Sequence, residues 1–146
     1  MWTIDASVWI RASEPREEGS TACSQLLTSL ARQSAPILVP NLVLIEIAGA
    51  VSRLRDPVRA DEVVQSTRDI PGIVFLPLDG GLADTALMLA RTHRLRGADA
   101  VYAAVAARYS TRLISCDREM LTRLRGAITV MQPQSALDMI RRIGGA

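Results

Sequence analysis

The chain contains no lysine. All 17 of its basic residues are arginine, set against 15 acids, so the net charge is only +2. That balance excludes the strongly basic tracts that coat nucleic acid by charge alone. The guanidinium fork suits phosphate, but the arginines are spread along the chain, as a bias toward GC-rich codons also produces. Histidine occurs once, at His93 between Thr92 and Arg94, and reads as exposed or as a satisfied polar side chain. A single histidine leaves no Ser/His/Asp or Cys/His pattern, and no glycine-rich phosphate loop of the Walker type is present. Aromatic residues make up 3% of the chain. The core must therefore be built from Leu, Ile, Val and Ala, and base-stacking platforms are excluded. The two cysteines, Cys23 and Cys116, lack metal-ligand spacing and sit in apolar segments, so they read as buried free thiols in a reducing compartment. No apolar run reaches the roughly 18 residues of a membrane span. The first residues show no basic stretch leading into an apolar one, so no secretory signal is expected. A cytoplasmic location follows as the expectation.

Apolar residues make up 49% of the 146 residues and charged ones 22%. These values predict one folded domain over 1–146 with a substantial core. Short apolar runs alternate with helical patterns. Strands are expected over Met1–Ile4, Ile37–Val39, Ile73–Leu78, Arg112–Cys116 and Ala127–Met131. Helices are expected from Ser7, as N-cap, through Ala12, then over Thr21–Gln33 behind Ser20, Asn41–Arg55, Pro57–Asp69 and Leu82–Leu95. Another follows the Arg96–Asp99 turn, where alanines at 100, 103, 104, 106 and 107 permit close packing on a sheet. A short helix over Arg118–Leu124 and a last one from Ser135 through Ile143 complete the pattern. Such alternation predicts an α/β fold, a parallel sheet in a three-layer α/β/α arrangement. Glu14–Ser20 is a polar loop and the expected mobile segment.

Four acids stand out by position. Asp5 and Asp117 each follow an apolar strand, at the carboxyl edge where ligands bind open α/β sheets. Glu46 interrupts the apolar context of its helix, and a partly buried glutamate needs a partner. Asp99 stands at a helix start, where an N-cap is the plainer reading. Asp79 also follows a strand, but Gly80-Gly81 after it marks a turn, and it is left outside the site. If Asp5, Glu46, Asp99 and Asp117 meet, they repel by about 4 kcal/mol per pair at a separation of about 4 Å and an effective dielectric of about 20. A cluster of that kind calls for cations. All-oxygen ligands favour Mg²⁺ or Mn²⁺, the machinery for attack of water on a phosphodiester.

Four segments carry a resemblance. Ile4-Asp-Ala-Ser-Val8, Pro40-Asn-Leu-Val-Leu-Ile-Glu-Ile47, Gly97-Ala-Asp-Ala-Val-Tyr-Ala-Ala104 and Leu113-Ile-Ser-Cys-Asp117 resemble the PIN domain, and more narrowly the VapC ribonuclease toxins of toxin–antitoxin pairs. The resemblance spans nearly the whole chain. It implies a PIN-like fold with a five-stranded parallel sheet whose first strand is central. It also implies a metal-dependent endoribonuclease, with one or two Mg²⁺ or Mn²⁺ ions held by Asp5, Glu46, Asp99 and Asp117. Ser115 matches the family's usual Ser or Thr and would support Asp117 or a metal-bound water. Where some relatives carry a further acid one turn after Asp99, this chain has Tyr102 and Ala103. The implied partners are an RNA substrate, a VapB-like antitoxin and a second copy of the chain. Arg94, Arg96, Arg112 and Arg118 flank the acids in sequence and are the candidates for phosphate contact.

Other α/β chemistries fit less well. A response-regulator receiver needs a lysine near its phosphoryl group and paired acids after the first strand, and both are missing. A haloacid-dehalogenase-type phosphatase needs an aspartate two residues after Asp5, where Ser7 stands. The remaining rival is a non-catalytic PIN module that binds RNA or a partner protein.

Overall fold

In a computed structural model of the chain, residues 1–144 are described. The last two positions of the expected domain, Gly145 and Ala146, lie outside them. The first strand, β1 (Trp2–Ile4), is buried along its whole length. It is followed by α1 (Ala6–Ala12), α2 (Ser20–Arg32), β2 (Ile37–Pro40), α3 (Leu42–Leu54) and α4 (Pro57–Arg68). Then come β3 (Ile73–Leu76), α5 (Gly80–His93), α6 (Gly97–Tyr109), β4 (Arg112–Ile114), α7 (Arg118–Arg123), β5 (Val130–Met131) and α8 (Pro133–Gly144).

The five strands form one sheet in the order β3-β2-β1-β4-β5, and every pair is parallel. β1 is central, as expected. The chain moves from β1 outward to β3, then returns across β1 to reach β4 and β5. Right-handed crossovers that reverse direction place their helices on opposite faces. So α1 to α4 cover one face, where α1 packs on α2 and α3 and α3 on α4, while α5 and α6 pack together on the other. α8 returns to pack on α2.

The core contains one buried aromatic hydroxyl and two tryptophans, and is otherwise aliphatic. α6 runs through it: every residue from Ala100 to Ala106 is buried, and the helix touches β1, β2 and β4. Its alanines make that approach possible.

Several boundaries differ from the sequence expectation. Asp5, not Ser7, is the N-cap residue of α1, and Gly19 with φ 82° precedes α2 in place of Ser20. Ser135 lies inside α8, which starts at Pro133, because proline is suited to a first helical turn. β3 stops at Leu76, since Pro77 lacks the ladder donor. β5 is only Val130–Met131. The expected mobile loop is pinned at its start: Glu14 is buried and accepts from Arg55 Nη2 at 2.7 Å and from Nε at 3.0 Å. His93 is satisfied, with Nδ1 3.0 Å from the Arg123 carbonyl.

Two glycines with left-handed backbone separate conformation from packing. At Gly72 (φ 82°) a Cβ would stand 2.8 Å from the Ala35 carbonyl oxygen and 2.9 Å from that of Ser34, both backbone. At Gly126 (φ 83°) it would meet nothing within 4 Å. Gly126→Ala should therefore cost only the left-handed penalty, about 1–2 kcal/mol. Gly72→Ala should cost clearly more in urea unfolding at equal m-value. Equal losses would contradict the close approach of the β2 and β3 entries.

Candidate active site

The carboxyl edge of β1 and β4 is the point where the chain's direction across the sheet reverses, the place at which open α/β sheets form their crevice. The register sets what meets there. Ile4 pairs with Ile114, so Asp5 and Ser115 follow side by side. The Asp5 amide continues the ladder to the Ile114 carbonyl at 2.9 Å. Its side chain does not cap α1. Instead Asp5 Oδ2 accepts from the Ser115 hydroxyl at 2.8 Å and from the Ser7 hydroxyl at 2.5 Å. Asp5 is 6% exposed. Burial pushes its carboxyl above the usual range, the two hydroxyls oppose that shift, and Asp117 adds a small repulsion.

Ser115 is fully buried and serves both acids of this edge. Besides donating to Asp5, its oxygen accepts from the Asp117 amide at 3.0 Å. Asp117 then caps α7, its Oδ1 accepting from the Glu119 amide at 2.8 Å. Ser7 has a similar double role, since its oxygen accepts from the Cys116 amide at 3.1 Å. Two serines thus tie the ends of β1 and β4 together through Asp5.

Asp99 and Glu46 arrive on helices from the two faces of the sheet. Asp99 lies in the first turn of α6 but is not its N-cap, a position held by Arg96. The Asp99 carboxyl is pushed up to about 6, first by burial, then by Asp5 and Asp117, with Arg96 opposing. Glu46 lies in the second turn of α3 and is half-buried. Burial raises its carboxyl, Asp5 and Asp99 add repulsion, and a hydrogen bond from Tyr102 offsets part of it. The Tyr102 hydroxyl donates to Glu46 Oε2 at 2.5 Å from a side chain that is fully buried. Its own ionisation is suppressed by burial and by Glu46.

Asp5 and Asp117 thus act on Asp99, and Asp5 and Asp99 act on Glu46. Among the described residues, no three acid, imidazole or thiol groups stand close enough to hold a metal ion between them as they are. The donor set nevertheless fits a hard divalent cation. It is all oxygen, and among the described residues none of the four acids forms a salt bridge.

The four candidate arginines divide. Arg94 is exposed at the left-handed C-cap of α5 and Arg96 is 77% exposed at the start of α6, 3.8 Å from Glu119. Arg118 opens α7 directly after Asp117. Arg112, however, starts β4 and stacks over the Trp2 ring at 5.8 Å from its centroid. It lies about 10 Å from the acidic edge, at about 3.3 Å per strand residue. Adjacency in sequence put it on the wrong end of its strand. Asp79 is likewise away from the site: it caps α5 and pairs with Arg108 at 3.0 Å.

Ser7, Tyr102 and Glu119 are site residues that the sequence reading did not assign. Tyr102 had one visible signal, its position one helical turn after Asp99. The partnership with Glu46, 56 residues away, had none.

With this geometry in place, the family can be stated. The PIN domain family model matches residues 3–126, and the chain belongs to that family. No curated protein sequence matches it. Among solved structures, it is similar to Mycobacterium tuberculosis VapC20, described as a sarcin-ricin loop cleaving toxin: 15% identity, 84% of this chain and 94% of that one covered, TM-score 0.71. PAE2754 from Pyrobaculum aerophilum is 19% identical over 97% of this chain and 89% of that one, with TM-score 0.71. VapBC2 from Rickettsia felis, solved with a DNA fragment from its promoter, shares 11% identity over 90% and 97%, with TM-score 0.70.

The electrostatics give a direct test without metal. The Asp99 carboxyl carbon, followed by NMR in EDTA, should titrate near pH 6. In Asp5→Asn one neighbouring charge is gone, so the midpoint should fall. Because the folded value lies above the usual 3.8, the folded state holds the extra proton between about pH 4 and 6. The Asp99 contribution to stability therefore falls as pH rises through that window. A midpoint unmoved by Asp5→Asn would show that the two acids do not share a field.

Proposed function

We propose that the chain is a divalent-metal-dependent endoribonuclease, the toxin of a toxin–antitoxin pair. One observation supports the reading: at the switch point Asp5 and Glu46 are held by neutral hydroxyls, from Ser7, Ser115 and Tyr102, which orient a carboxylate without neutralising it. Asp5, Glu46, Asp99 and Asp117 would hold Mg²⁺ or Mn²⁺. When bound, such a cation supplies an activated water and charge stabilisation for in-line attack on a phosphodiester. The chain's own residues set the stage. Ser115 and Ser7 fix Asp5, Ser115 also fixes the turn that carries Asp117, and Tyr102 holds Glu46 toward the cluster. Arg94, Arg96 and Arg118, all exposed, would position the RNA backbone.

The family and the fold support this reading. The structural relatives include a toxin described as cleaving the sarcin-ricin loop and a toxin–antitoxin complex on promoter DNA. By that likeness the chain would act on RNA in the cytoplasm, dimerise with a second copy and be silenced by a VapB-like antitoxin. No helix among the described residues is long and apolar enough to cross a membrane. The wide spacing of the acids favours a second reading, a PIN module that binds without cutting.

Cleavage of a mixed RNA pool separates the two. In Mg²⁺ or Mn²⁺, Asp5→Asn and Asp99→Asn should each lose at least about 100-fold in rate while keeping the wild-type circular dichroism. Ser115→Ala, which removes an orienting hydroxyl, should lose about 10- to 100-fold. Full activity in either aspartate variant would overturn the site. Metal-independent binding with no cutting by wild type would establish the binding module.

A further inference from the structure

Beside the acidic edge, a cavity of about 490 Å³ opens between α2, the end of β4 and the start of α8. Its lining includes Arg11, Cys23, Cys116, Arg118 and Gln132. Cys23 is buried, as expected, but Cys116 is only partly buried, which corrects the reading of two buried thiols. The sulfurs stand 3.7 Å apart although 93 residues separate them in sequence. Each is a free thiol, and both face the cavity.

We propose that Cys23 and Cys116 form a reversible modification site, oxidised by hydrogen peroxide to an intramolecular disulfide that lowers activity at the neighbouring carboxylates. The chemistry balances in two steps. The Cys116 sulfur attacks one peroxide oxygen, the O–O bond breaks, and a sulfenic acid and one water form. The Cys23 sulfur then displaces the sulfenic hydroxyl, the S–S bond forms, and a second water leaves with the remaining proton. Two thiols are oxidised and one peroxide is reduced. Cys116 is the peroxide-facing partner because it is the less buried of the two.

The link to the site is covalent and short. Cys116 lies between Ser115, which donates to Asp5, and Asp117. Its amide donates to Ser7, whose hydroxyl donates to the same Asp5 oxygen. Closing a 3.7 Å contact to a bonded disulfide of about 2 Å must draw residue 116 toward α2. That movement acts on both serines that orient Asp5. The effect on activity rests on the nuclease reading above, whereas bond formation does not.

The test treats the full-length protein with hydrogen peroxide and reads the bond independently of RNA. Non-reducing digestion with trypsin should yield the Glu17–Arg32 and Leu113–Arg118 peptides joined and two hydrogens lighter than their sum. Free-thiol titration should fall to zero, and dithiothreitol should restore both thiols. RNA cleavage should fall by at least about tenfold on oxidation, in keeping with the sensitivity of rates to sub-ångström to ångström misplacement, and should recover with reductant. Cys23→Ala, which keeps a small apolar group in the core, should cleave like wild type and resist peroxide. Cys116→Ser provides the same check from the other partner. Over-oxidised cysteines without the joined peptide, or a link only between two copies, would overturn the proposal. So would a disulfide that leaves wild-type cleavage unchanged. A wild type that forms the bond but never cuts RNA would refute the nuclease reading and leave the disulfide site established.

Discussion

The arrangement depends on repulsion among like charges. Asp5, Glu46, Asp99 and Asp117 are drawn to one edge, and three of them are raised above their usual carboxyl range by burial and by one another. A folded chain tolerates this only if other groups hold the acids in place. Here neutral hydroxyls hold two of them, Ser7 and Ser115 on Asp5 and Tyr102 on Glu46. Neutral donors satisfy carboxylate oxygens without cancelling their charge, as the proposed cation site requires. The charged alternative is seen elsewhere in the molecule: Glu14 with Arg55 and Asp79 with Arg108 are paired acids, and both are pushed below their usual range, chiefly by hydrogen bonds. Those pairs fasten structure. Among the described residues, the acids at the switch point form no such pair.

The fold supplies that edge through its centre. β1 is three residues long, buried, and bonded on both sides. Asp5 therefore leaves the sheet from its central strand. α6 brings Asp99 across the core on a spine of alanines, and the tyrosine one turn later reaches back to Glu46 on α3. One helix thus positions two of the acids, one directly and one through a hydroxyl.

Much of this was legible in the sequence because the signals were local. Apolar runs ending on an acid marked Asp5 and Asp117 as strand-end carboxylates, and Glu46 stood out against its apolar helix. The parallel sheet followed from alternation of strand and helix. What was not legible was contact at long range. No periodicity shows that Tyr102 meets Glu46, that Ser7 turns back to Asp5 instead of capping a helix, or that Cys23 meets Cys116. Arg112 shows the opposite error: nearness in sequence suggested nearness in space, but a strand has two ends. Element ends moved where proline intervened, at Pro77 and Pro133, and where a left-handed glycine, Gly19, preceded a helix in place of a serine cap.

Asp5, Glu46, Asp99 and Asp117 are proposed to form one cation site. Calorimetric titration with Mn²⁺ at pH 6, run in two buffers of different ionisation enthalpy, tests it most directly. The account predicts saturable binding by wild type that releases protons, because Asp99 is partly protonated near that pH. It predicts that Asp5→Asn binds far more weakly. Equal binding by wild type and Asp5→Asn, or binding with no proton release, would contradict it.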